Sequence, residues 1–261
     1  MKTEFETYKQ SFRINNRFLY TLIYDLLLFL LFFISIRLWQ YSAERIFPKI
    51  NTPGFSGNYL RDSVALQQIS SSAVSELTNF LSITLLIFIS FFIIFSTIKY
   101  LIWNIVLKEK NKIRNWIRFL LLNTLWSVIT FLILLIPMTS MFKTMEKSGG
   151  VANDALAFQA SIFWILIILF AYLTPILYVL FIKNKRLFFS LKKTFLLGIL
   201  RIRYFIFPYL LIILTLITIS IVLMITKLFP QIVQSIFGYV TLFAFIAWIR
   251  FYISKIILKL S

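Results

Sequence analysis

The stretch KNKRLFFSLKKTFLLGILRIR, residues 183–203, and the apolar run that follows it over residues 204–226 decide the fold. Apolar and cationic side chains alternate in this stretch with the helical period, which predicts an amphipathic helix. One predicted face carries Phe188, Leu191, Phe195, Ile199 and Ile202, and the other carries Arg186, Lys192, Lys193 and Arg201. The following run rises about 1.5 Å per residue as a helix and is long enough to cross a bilayer. The predicted unit is therefore a cationic interfacial helix that leads into a membrane span.

Composition places the whole chain in the same class. Of its 261 residues, 60% are hydrophobic, which leaves little room for a soluble fold. The net charge of +18 would suggest nucleic acid binding in a soluble protein, but here the position of the cations matters more than their sum, and no nucleic acid partner is expected. The chain contains no cysteine and no histidine, so disulfides, thiolates and the commonest general base and metal ligand are excluded.

Hydropathy predicts an all-α polytopic membrane protein that forms one six-helix transmembrane domain over residues 1–261. The predicted spans cover residues 18–39, 78–103, 119–138, 159–182, 204–226 and 235–257, and the third is expected to stop at Pro137. Residues 1–17 are predicted to form an amphipathic helix on the cytoplasmic membrane surface, with Phe5, Tyr8 and Phe12 on its apolar face. Residues 40–77 are predicted to be the longest extracytoplasmic loop, with turn signals at 51–54 and 57–58, and Gly149-Gly150 marks a second loop.

The cations predict the orientation. The N-terminus, the second-to-third link, the fourth-to-fifth link and the C-terminus, with the adjoining span ends, hold 20 of the 27 Lys and Arg. Because translocating Lys and Arg is unfavourable, this side is expected to stay in the cytoplasm. Six spans in the cell membrane with both termini cytoplasmic is the topology that places all four segments there.

A basic, aromatic-bearing segment precedes each pair of spans, at residues 2–17, 104–118 and 183–203. One interpretation is a repeated hairpin architecture of the kind that transporters use. The alternative is that every cytoplasmic link in an inner-membrane protein is basic, without any repeat.

The segment Ser190-Leu191-Lys192-Lys193-Thr194-Phe195, which enters a span through residues 201–204, resembles a linker in uncharacterised prokaryotic six-helix integral membrane proteins. Those proteins are similar to the membrane domain of some glycerophosphodiester phosphodiesterases. The resemblance covers residues 187–225 and, less closely, 5–30. It implies a six-helix membrane domain, and no activity, because the phosphodiesterase catalytic domain is absent from this sequence.

Asp25 is the only acid inside a predicted span, and an ionised carboxylate in hydrocarbon needs a partner. Counting helical rise from the span ends places Lys99 at the same depth, so the two are predicted to pair. Asn123, Ser127 and Thr130 form a polar stripe on the third span that begins near that level. These five residues predict either a cytoplasm-facing polar cavity for an ion or small substrate, or a structural pair that joins two helices.

The cytoplasmic cations offer a second candidate site. Lys192, Lys193, Arg201, Arg203, Arg114 and Arg118 are predicted to contact anionic lipid head groups, each contributing ~1 kcal/mol near the surface. The alternative is that these residues only determine topology. No catalytic residue, metal site or cofactor site is predicted from the sequence.

We therefore expect a non-enzymatic multi-pass membrane protein that is structural or interacts with membrane lipids. A second hypothesis is a transport permease with a cytoplasm-facing polar cavity around Asp25. Chain length, six spans, the N-terminal amphipathic helix and the basic segment 104–118 resemble the permease subunit of ABC-2-type exporters. That resemblance would imply a soluble ATPase subunit as partner.

Overall fold

A computed structural model describes residues 2–12, 15–46, 59–147, 154–225 and 230–260. These residues are helical apart from short connections, and no strand occurs among them. The elements are α1 (Lys2–Ser11), α2 (Asn16–Ile46), α3 (Tyr59–Leu107), α4 (Ile113–Lys147), α5 (Asp154–Asn184), α6 (Leu187–Phe195), a π-helical segment (Leu196–Leu200), α7 (Arg203–Ile225) and α8 (Gln231–Leu260).

Six of these helices are long and apolar enough to cross a membrane, which confirms the predicted fold class. The membrane-spanning segments are Asn16–Glu44, Val74–Leu107, Ile113–Glu146, Asp154–Asn184, Arg203–Met224 and Val233–Leu260. Most of the large apolar side chains on them are exposed, as expected for helices whose solvent is lipid. The chain is an all-α polytopic membrane protein.

The chain divides into two compact units, Met1–Asp25 with Lys99–Ser261 and Leu26–Ile98. In the second unit, α2 and α3 pack through aromatic pairs, with ring centroids 5.8 Å apart for Phe32 and Phe91 and 6.2 Å apart for Trp39 and Phe80. In the first unit, the C-terminal half of α5 is the buried centre and packs against α4, α6 and α8. Every site discussed below lies within this first unit.

Several predicted boundaries differ from the structure. Pro137 does not end the third span, because α4 continues to Lys147; membrane helices tolerate proline where local adjustments satisfy the freed carbonyl. Residues 40–46 and 59–77, predicted to be loop, belong to α2 and α3. The turn signals at 51–54 and 57–58, and Gly149-Gly150, lie outside the described residues.

Residues 1–17 do not form one surface helix. The N-terminal helix ends at Ser11, and α2 begins at Asn16; Arg13 lies outside the described residues. Phe5, Tyr8 and Phe12 do lie on one side, where Tyr8 contacts both other rings and packs edge-on against Trp248 at 5.6 Å, while Phe5 and Phe12 are about half exposed. Helix α1 therefore docks on α8.

Residues 183–203, the stretch that decides the fold, do not form one continuous helix. Lys185 ends α5 with a φ of 57°, and α6 then leads into the π-helical segment. The predicted apolar face points outward, with Phe188 80% exposed, while Ser190, Thr194 and Gly198 are buried against α5. These three small residues recur at every fourth position, a pattern of small residues at close helix contacts that sequence analysis did not use.

Candidate functional site

The basic links between α3 and α4 and between α5 and α6 are joined by one acidic side chain. The Glu109 carboxylate accepts hydrogen bonds from Lys183 Nζ and Lys185 Nζ, both at 3.0 Å. Arg118 Nη1 adds a 3.4 Å hydrogen bond to the Lys185 carbonyl oxygen. Burial alone would raise the pKa of Glu109, but the hydrogen bonds and the positive charges of Lys183 and Lys185 together hold that pKa below its usual value. The carboxylate is therefore ionised at neutral pH.

The C-terminal helix connects these links to the N-terminus. Arg201 Nη1 donates to the Leu260 carbonyl oxygen at 3.2 Å, and Lys259 Nζ donates to Thr7 Oγ1 at 2.6 Å. All four basic segments that sequence analysis placed on one side are thus linked at one end of the first unit. We call this the basic end, defined by residues 2–12, 15–17, 108–118, 183–203 and 250–260.

A groove of about 660 Å³ opens at the basic end between α1, the start of α2 and the C-terminal ends of α3 and α8. Three cations, three amides and two hydroxyls supply its polar lining, and no acid occurs among its described lining residues. The lining residues are Arg17, Lys108, Lys255, Gln10, Asn15, Asn16, Ser11, Ser254, Val106, Leu107, Phe251 and Leu258. We call it the cationic groove.

Helix ends position the groove residues. Lys108 has a φ of 60°, a left-handed conformation that commonly terminates helices, and it follows the last residue of α3. Asn15 Oδ1 accepts a 3.0 Å hydrogen bond from the Phe18 amide and so caps α2 immediately before Arg17. Lys255 Nζ donates to the Gln10 carbonyl oxygen at 3.1 Å, which brings α8 against α1. Three separate helix ends therefore bring one cation each to the groove.

The buried acid Asp25 forms its ion pair with Arg250 of α8, and both side chains are buried. Sequence analysis paired Asp25 with Lys99. The structure adds Arg250 as a direct partner of Asp25, and the charges of both residues act on Lys99. Depth along the spans indicated Lys99 and did not indicate Arg250. Asp25, Lys99 and Arg250 do not line the cationic groove.

The three residues of the predicted polar stripe on the third span lie in different surroundings. Asn123 is buried and its Oδ1 accepts a hydrogen bond from the Tyr178 hydroxyl of α5. Ser127 is exposed on the outside of α4. The Thr130 hydroxyl oxygen is enclosed and makes no hydrogen bond within the part of the chain that the structure describes.

The six cations predicted to contact lipid divide into two groups. Arg118 and Arg201 donate to backbone carbonyls of neighbouring segments, so they serve the packing of the basic end. Four others lie at its surface: Lys192, Arg114 and Arg203 are exposed, and Lys193 is half-buried over the Phe189 ring. Sequence analysis missed the groove cations as a group, because nothing in the sequence indicates that Arg17, Lys108 and Lys255 meet.

No family model matches the chain, and neither a curated protein nor a solved structure matches it.

Proposed function

We infer that this chain is a non-enzymatic multi-pass membrane protein that binds the head groups of anionic membrane lipids at its basic end. The observation that supports this function is the cationic groove, where Arg17, Lys108 and Lys255 meet without an acid among the described lining residues. A phosphodiester carries the complementary charge, and amides and hydroxyls supply further hydrogen bonds to its oxygens. The basic end faces the cytoplasm in this proposal, where anionic lipids concentrate.

Transport is the second candidate, supported by a group of charges that act on one another inside membrane-spanning segments: Asp25, Lys99 and Arg250. Charges at such positions commonly mark ion or substrate pathways. The structure favours lipid binding over this candidate, because these residues do not line the cationic groove and Asp25 has a direct structural partner in Arg250. In the transport alternative, a soluble ATPase would remain the expected partner.

The test measures the affinity of purified protein for phosphatidylglycerol and for zwitterionic phosphatidylcholine by native mass spectrometry. The groove variant combines Arg17→Gln, Lys108→Asn and Lys255→Gln; Asn suits the left-handed conformation at position 108. If each cation contributes ~1 kcal/mol, its loss of phosphatidylglycerol affinity should approach a hundredfold, about 3 kcal/mol in total, with phosphatidylcholine unaffected.

The matched control removes the same charge from exposed positions that lie outside the groove and are not among the six predicted lipid contacts, Lys9→Gln, Lys110→Gln and Arg186→Gln. Surface charges are screened by salt, so we expect a loss of less than about threefold at 0.15 M ionic strength. Equal losses in both variants, or an unchanged affinity in the groove variant, would refute head-group binding in the groove. Thermal unfolding of each variant verifies that it is folded.

A further inference from the structure

A second groove lies deeper along the same helix. It has a volume of about 190 Å³ and is bordered by Phe12, which follows α1, and by the start of α2, α7 and α8. Its lining residues are Phe12, Phe18, Thr215, Ile219, Thr241, Ala244, Phe245 and Trp248. Both threonine hydroxyls donate to carbonyls of their own helices, Thr215 to Leu211 and Thr241 to Phe237, each at 2.7 Å. The wall of this apolar groove therefore offers a ligand almost no free hydrogen-bonding groups.

The two grooves follow one stripe of α8. Thr241, Ala244 and Trp248 line the apolar groove, and Phe251, Lys255 and Leu258 line the cationic groove at steps of three or four residues. From Lys255 to Thr241 the helix rises about 21 Å. Half of a bilayer that is about 40–45 Å thick with its head groups has nearly the same depth. The two grooves together therefore extend over about the depth of one leaflet, with the cationic lining at one end and the apolar lining at the other.

The end of α1 and the residue that follows it border the two grooves. Ser11 lines the cationic groove and accepts a 2.8 Å hydrogen bond from Trp248 Nε1. The next residue, Phe12, lines the apolar groove and stacks on the Trp248 ring with centroids 4.9 Å apart. The change in polarity therefore occurs within two consecutive residues, where the head group of an amphiphile would meet its chain.

We propose that the two grooves together hold one anionic diacyl phospholipid, with its phosphodiester in the cationic groove and an acyl chain in the apolar groove. This inference rests on the proposed function and names the whole lipid as the ligand. The cationic groove complements a negatively charged head group, and the apolar groove lies at the depth of the acyl chains. This combination favours an amphiphile over a free phosphate, which has no apolar part to fill the apolar groove. The lipid would join α1 to α8 beside the Phe12 and Trp248 rings.

The test fills the apolar groove without changing charge. Ala244→Trp places a large side chain in the groove, and Leu242→Trp is the matched control on α8, where Leu242 is exposed outside it. We expect Ala244→Trp to weaken phosphatidylglycerol binding by about tenfold through lost chain contacts, and Leu242→Trp to leave the affinity unchanged. Glycerophosphoglycerol, the same head group without chains, should bind the parent and Ala244→Trp alike. If Ala244→Trp does not fold, Ile219→Trp fills the groove from α7.

Each contrary result overturns a distinct claim. Parent-like phosphatidylglycerol affinity in the groove-filling variant, together with a loss in the charge variant, removes the acyl chain from the groove and leaves head-group binding intact. Equal affinities of the parent for glycerophosphoglycerol and phosphatidylglycerol also overturn the inference, because the ligand would then be a free anion. Parent-like affinity in the charge variant refutes the proposed function itself.

Discussion

Asp25 and Arg250 show how a single buried charge constrains the helices around it. A carboxylate inside a membrane span is stable only with a partner, and Arg250 reaches it from α8. Lys99 acts on both charges from α3, attracted by Asp25 and repelled by Arg250. The pair therefore joins the beginning of α2 to α8 within the first unit.

We expect Asp25→Asn and Arg250→Met each to lower thermal stability in detergent, because either change leaves an uncompensated buried charge. The loss for a fully buried pair is roughly 3–5 kcal/mol, and the double variant should recover part of it. Lys99→Met should have a smaller effect, since it removes one attraction and one repulsion together. Effects of Asp25→Asn and Arg250→Met that simply add in a double-mutant cycle would contradict direct contact.

At the residue scale, the sequence predicted that Asp25 needs a cationic partner, and it did not indicate Arg250. Asp25 is recognisable as a buried acid because it lies in an apolar run. Both Lys99 and Arg250 lie near the basic ends of their spans, so helical rise alone does not separate them. The spacing of Ser127 places it on the same polar stripe as Asn123, but Ser127 is exposed whereas Asn123 is buried, a difference that spacing alone did not indicate.

Among the helices, the contact between α5 and the segment after α6 depends on one glycine. A Cβ on Gly198 would lie 2.3 Å from Leu173 Cδ2, and Leu173 is almost completely buried. The Tyr172 hydroxyl donates to the Gly198 carbonyl oxygen at 2.9 Å, which holds the π-helical segment against α5.

Gly198→Ala is expected to lower the free energy of unfolding by about 1–3 kcal/mol, the usual cost of overpacking a core. Gly238→Ala is the matched control, because a Cβ there meets nothing within 4 Å; it should be neutral or slightly stabilising. Thermal unfolding in detergent measures both variants. An equal response of the two would mean that the contact of Gly198 with α5 carries no packing constraint.

Hydrophobic runs predicted the number of spans because lipid requires long apolar helices whatever their packing. Helix ends were harder to predict. Pro137 is a stop signal in water but lies inside α4, and the polar signals of residues 40–46 and 59–77 did not end the helices there. The buried face of α6 was missed because Ser190 and Thr194 are small and polar, and neither the predicted apolar face nor the predicted cationic face included them.

Over the whole molecule, the sequence grouped the basic segments correctly but did not identify the groove that they form. The cations at residues 17, 108 and 255 come from three distant segments, and each is one basic residue among many. Their meeting depends on how α1 docks on α8 and on where α3 ends. Those features come from tertiary contacts such as Trp248 with Ser11, which no local pattern encodes.

The orientation of the basic end decides which leaflet the cationic groove meets, and thiol labelling tests it directly because the chain has no cysteine. Single cysteines at Asn111 and Lys192 mark the basic end, and cysteines at Glu146 and Asp154 mark the opposite ends of α4 and α5; all four positions are exposed. An impermeant thiol reagent added to intact cells should label Glu146→Cys and Asp154→Cys. It should label Asn111→Cys and Lys192→Cys only after the cells are opened. Labelling of Asn111→Cys or Lys192→Cys in intact cells would place the groove on the outer face and contradict the cytoplasmic lipid-binding account.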